Sequence, residues 1–80
     1  MRNSGGHVSY RVIRPDGETV ISGDDVTSLI NGKVAKFVRV SRGPEHNGVA
    51  KIEVDEPDTD RRSYYTADEY NLFVVVIREE

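Results

Sequence analysis

Six serines, two histidines and one run of carboxylates are the residues of this 80-residue chain whose chemistry could go beyond packing. A serine nucleophile needs a base within hydrogen-bond reach and an exposing turn of the G-x-S-x-G kind. None of Ser4, Ser9, Ser22, Ser28, Ser41 and Ser63 has that context. His7 and His46 sit at a strand start and in a loop, with no acid spaced to orient either ring, and read as exposed histidines. The seven glycines are scattered as turn residues and give neither G-x-G-x-x-G nor a Walker lysine. The chain is therefore expected not to be an enzyme, and to hold no cofactor.

The carboxylates Asp55-Glu56-Pro57-Asp58-Thr59-Asp60 could meet a hard cation through oxygen. Counted from Asp58, Asp60 takes the third and Glu69 the twelfth position of a calcium loop. Arg62 and Ser63 then occupy the fifth and sixth, where another oxygen donor and a glycine are needed. A solvated charged loop is the better reading, and no metal is expected. With no cysteine, disulfides and thiolate zinc sites are excluded.

Charge gives a clearer pattern. Residues 1–42 carry seven basic and four acidic side chains, net +3, and residues 43–80 carry four and ten, net −6. Lys33, Lys36, Arg39 and Arg42 fall within ten residues. If Arg11 and Arg14 came from a neighbouring strand, they would join Lys36, Arg39 and Arg42 in a basic sheet face that attracts phosphate. Arg61 and Arg62 beside Tyr64 and Tyr65 set guanidinium next to aromatic surface, a pairing that stacks on bases. The competing reading makes the cations the solvent side of a half-buried strand and the tyrosines lids on a core. An overall charge of −3 works against nucleic acid.

Three functions remain in view. The first is a non-enzymatic protein-interaction domain whose partner is another protein or a second copy, through homodimerisation or edge-strand pairing. Its candidate surface is Arg11, Arg14, Lys36, Arg39, Arg42, Arg61, Arg62, Tyr64 and Tyr65. The second is a nucleic-acid-binding small β-barrel using the same cations and tyrosines. The third is an acidic nucleic-acid mimic or inhibitor acting through Asp55, Glu56, Asp58 and Asp60. No membrane partner is expected, because no apolar run approaches the roughly 18 residues of a spanning helix, and a cytoplasmic location is the accompanying expectation.

The elements that must position these residues are mostly strands. Val and Ile number 17 against two Leu and three Ala, and branched β-carbons favour the pleated backbone. Residues 1–6 read as a disordered arm and 7–80 as one small globular domain. Alternation over His7–Arg14, the turn Pro15-Asp16-Gly17 and a return over Glu18–Ser22 predict a hairpin. Asp24 to Asn31 reads as a short helix, with Val26, Leu29 and Ile30 on one face and Asn31-Gly32 ending it. Val34–Arg42 and Val49–Asp55 predict a second hairpin, with either a bulge or burial on both faces where Phe37 leaves the face shared by Val34, Lys36, Val38 and Val40. Thr66-x-x-Glu69 predicts a single helical turn over 66–70.

Leu72 to Ile77, six apolar residues in a row, predicts a central strand covered on both faces or a strand of a barrel. The expected fold is mainly β, borderline α+β. About five short, mostly antiparallel strands form a small twisted sheet or partly open barrel, with the helix at 24–31 and the turn at 66–70.

Overall fold

The branched residues that dominate the composition do build sheet. In the computed structural model, which describes residues 7–45, 48–59 and 61–79 apart from the side chains of His7 and Glu79, they form seven strands and one 3-10 turn. The strands are β1 (His7–Ile13), β2 (Thr19–Val20), β3 (Asp25–Thr27), β4 (Val34–Arg42), β5 (Lys51–Asp55), β6 (Arg62–Thr66) and β7 (Phe73–Glu79). The 3-10 turn is Ala67–Tyr70. The expected arm at 1–6, His46 and Asp60 lie outside the described residues.

The strands make two antiparallel sheets, β2-β1-β7 and β3-β4-β5-β6, that do not close into a barrel. The first sheet supplies Val12 and Val20 to the core, and the second supplies Val26, Ala35, Phe37, Ile52 and Val54. Ala67, Tyr70 and Leu72, from the turn and the residues leading into β7, complete it. Each sheet thus buries one face, which is why strands so short are stable together and not singly.

The β1–β2 hairpin forms as the turn residues require. Arg14 donates its N–H to the Glu18 carbonyl (2.8 Å), and Gly17 donates to the Arg14 carbonyl (2.9 Å). Gly17 takes φ +94°, a value that costs a side-chain-bearing residue dearly. The second hairpin carries its bulge, in fact two, between Phe37 and Arg39 and between Val40 and Arg42. The first turns Phe37 and Val40 to the same interior although they stand an odd three positions apart. The single turn at 66–70 forms as the 3-10 element, with the Glu69 carboxylate accepting from the Thr66 N–H (2.8 Å) and hydroxyl (3.0 Å).

Three expectations are corrected. The helix at 24–31 does not form: Val26 pairs with Ala35 inside β3–β4, and Leu29 and Ile30 are 64% and 72% exposed on the connecting turn. That turn is closed by Ser28, whose N–H donates to the Lys33 carbonyl and whose hydroxyl oxygen accepts from the Ile30 N–H. Local hydrogen bonding of this kind outcompetes a two-turn helix. The five strands become seven, since β3 replaces the helix and Arg62–Thr66 is a strand. Finally, the tail is not central: among the described residues β7 pairs with β1 alone and forms the edge of its sheet.

Candidate interaction surfaces

The outward face of the four-stranded sheet collects several of the residues singled out by charge. Register sets Asp25, Lys36, Asp55 and Arg62 in one row, Arg39, Glu53 and Tyr64 in a second, and Arg42, Lys51 and Thr66 in a third. The first row alternates in sign and is zipped: Lys36 Nζ lies 2.6 Å from Asp25 Oδ1, and Arg62 Nε lies 3.2 Å from Asp55 Oδ1. In the second row Glu53 is 3% exposed although it points away from the core. Arg39 Nε sits 2.8 Å from its Oε1, and Arg62 Nη1 donates to its Oε2 at 3.2 Å. The Glu53 hydrogen bond, with Asp55 adding attraction, raises the Arg62 pKa above its ordinary value.

This bonding consumes the charge that looked free in the sequence. Lys36, Arg39 and Arg62 are committed to carboxylates on neighbouring strands. Among the described residues Arg42 and Lys51 form no ion pair. Arg11 and Arg14 are not part of this face, because β1 is hydrogen-bonded to β2 and β7 and not to β4. Arg14 donates to the Asp25 carbonyl (2.7 Å), while Arg11 stands opposite Val75. Arg11 and Arg39 do both line a cleft of about 460 Å³ between the sheets, together with Val20, Phe37 and Val40. Arg61 precedes β6 with its N–H bonded to the Thr59 hydroxyl.

The two tyrosines part company, as neighbours on a strand must. Tyr64 is exposed on the outer face. Tyr65 packs on the core, its ring centroid 5.6 Å from that of Tyr70, and its hydroxyl donates to Glu56 (3.0 Å). That bond raises the Tyr65 pKa, while burial pushes Tyr70 up to about 12. Across the molecule Tyr10 donates to Glu45 (2.6 Å), which raises its pKa in the same way. The Tyr10 ring and the Glu45 carboxylate close over Gly43 so tightly that even a methyl group there would strike both. The acidic run is dispersed too: Asp55 serves Arg62, Glu56 accepts from Ser63 and Tyr65, and Asp58 pairs with Lys33. Among the described residues no three His, Asp or Glu side chains gather as metal ligands.

The second surface is the free side of β7. Arg14 turns its backbone groups toward β2, so alternation turns those of Ser9, Arg11 and Ile13 toward β7. Their partners Ile77, Val75 and Phe73 are thereby satisfied. The N–H and C=O groups of Val74, Val76 and Arg78 are aimed away from β1, at an edge that no other strand occupies among the described residues. On the outward face of the same strand Phe73 is 56% and Val75 43% exposed. Protein-family models, curated proteins and solved structures give no match to this chain.

Sequence reasoning found the apolar run but misplaced it. Covering both faces of such a strand takes a layer on each side, and no helix longer than one 3-10 turn occurs among the described residues. The scarcity of Leu and Ala was the signal available for this, since it left little material for a covering helix. No helix among the described residues is long and apolar enough to cross a membrane.

Proposed function

We infer that this protein is a small interaction domain that works by strand addition, the partner's extended segment lying along β7. The observation that carries the reading is the coincidence, on one strand, of backbone groups at Val74, Val76 and Arg78 that no strand among the described residues pairs with and exposed apolar side chains at Phe73 and Val75. Backbone bonds at such an edge supply affinity, and the alternating side chains select the sequence that docks. Protective devices of ordinary edges are missing from the middle of β7, which has neither proline, nor bulge, nor inward charge before Arg78.

The test is a titration of isotope-labelled protein with short extended peptides of alternating apolar and polar residues. Shifts are expected at the amides of Val74, Val76 and Arg78, with slowed hydrogen exchange at those three positions. Responses confined to the outer face of the four-stranded sheet, or none at millimolar peptide, would overturn the reading.

A further inference from the structure

We propose that the strand added to β7 is β7 of a second copy, antiparallel and related by a two-fold axis through Val75. The proposal rests on the strand-addition reading and adds to it an occupant and a register.

Geometry narrows the choice of register. Backbone groups of Val74, Val76 and Arg78 point to the open edge, so residues of this set must meet one another across the axis. Centring on Val75 places Val74 opposite Val76 of the second copy and Phe73 opposite its Ile77, with Val75 opposite Val75. Every pair from Phe73 to Ile77 is then apolar against apolar, and the exposed Phe73 and Val75 side chains gain same-face neighbours. Centring one residue later, on Val76, sets Phe73 against Glu79 and Val74 against Arg78. That arrangement buries apolar side chains against charge and is the poorer one.

Charge selects the antiparallel direction. Asp68, exposed in the 3-10 turn, lines a cavity of about 130 Å³ with Leu72, Phe73 and Val74 at the start of β7 and with Pro44 and Gly48–Ala50 of the β4–β5 loop, and Arg78 stands near the end of β7. Among the described residues neither Asp68 nor Arg78 has an ion-pair partner. An antiparallel pair brings Arg78 of each copy to Leu72 of the other, beside Asp68. A parallel pair would set Asp68 against Asp68 and Arg78 against Arg78. Complementarity of this kind fixes register more than it adds affinity.

A cysteine-free chain makes the test direct. Opposed residues of a non-hydrogen-bonded antiparallel pair lie about 4.5 Å apart at Cα, within the span of a disulfide. Under mild oxidation Val75→Cys is expected to cross-link at least about tenfold faster than the control Val34→Cys, which sits exposed on β4 and links only by collision. Sedimentation of the unmodified protein should show a concentration-dependent dimer that Val75→Lys abolishes. Asp68→Lys and Arg78→Glu should each weaken the dimer by about two- to fivefold, and the two together should restore it.

Faster linking of Val76→Cys than of Val75→Cys would overturn the register. A strict monomer whose Val75→Cys links no faster than the control, while extended peptides still shift the β7 amides, would overturn self-pairing and leave strand addition standing. Loss of both responses would remove the two together.

Discussion

β5 and β7 are built from similar residues and meet opposite fates. Lys51–Asp55 holds two apolar side chains, and all three of its central residues, Ile52, Glu53 and Val54, are buried. Phe73–Glu79 opens with five consecutive apolar residues, none of which is fully buried. The difference lies in neighbours: among the described residues β5 has β4 on one side and β6 on the other, whereas β7 has β1 alone. Hydrophobicity along a segment therefore reports how much apolar surface must be covered, while position in the sheet decides whether the chain itself covers it.

The comparison is broken most forcefully on the enclosed side. Ile52→Ala removes a side chain with no solvent exposure, and should cost about 2–5 kcal/mol, a large part of the stability of a domain this small. Urea denaturation followed by circular dichroism checks it; a cost below that of the same truncation at Val75 would reverse the ranking of the two strands.

Next in size is an alkaline effect on the enclosed side, where Tyr70 packs against Tyr65 of β6 with the rings tilted by 55°. Burial lifts Tyr70 to about 12 from an ordinary 10.0. The folded chain then keeps a proton that the unfolded chain surrenders, so stability is flat below pH 10 and falls as pH rises toward 12. A displacement of this size corresponds to a loss on the order of 2 kcal/mol. Urea midpoints between pH 9 and 12 should show the decline, and Tyr70→Phe should flatten most of it, leaving smaller contributions from Tyr65 and Tyr10. An unchanged slope in Tyr70→Phe would show that this ring is not the group responsible.

A smaller effect belongs to Glu53, which is buried on the outer face with Arg39 and Arg62 both paired to its carboxylate. Both arginines are themselves more than half exposed and can return to water, so Glu53→Gln should cost about 1–2 kcal/mol, less than a fully enclosed ion pair would. Double-mutant cycles with Arg39→Met and Arg62→Met divide that cost between the partners. A coupling energy near zero for both would mean that neither ion pair contributes to stability.

What the sequence made legible follows the range of the physics involved. Turns set by a few residues were readable: Pro15-Asp16-Gly17 closes its hairpin, Thr66 and Glu69 close their turn, and the irregular β4 pattern carries its bulges. Val26, Leu29 and Ile30 misled because a three-plus-one spacing is compatible with a strand followed by an exposed turn, and only pairing with Ala35 separates the two. Arg62–Thr66 carries no strand signal in the sequence because its inward residues, Ser63 and Tyr65, finish their packing with hydrogen bonds to Glu56, which leave no apolar alternation to see. Of the candidate surface, the sequence located the cations. It could not show that Lys36, Arg39 and Arg62 face carboxylates across strands, since those pairs form only once the register is set.

The smallest expected effect is the sharpest test of the contrast. Val75→Lys places a charge on the outward face of β7, where a long side chain reaches water but stands opposite the exposed Arg11 of β1, and should change the stability of the isolated monomer by no more than about 1 kcal/mol. The measurement belongs at high dilution, because any association of the unmodified protein adds stability by mass action that the variant lacks. A gap between the two proteins that opens with concentration and closes on dilution locates the missing cover in a second molecule. A gap of the Ile52→Ala size at every concentration would place it within the chain, and β7 would then be an enclosed strand like β5.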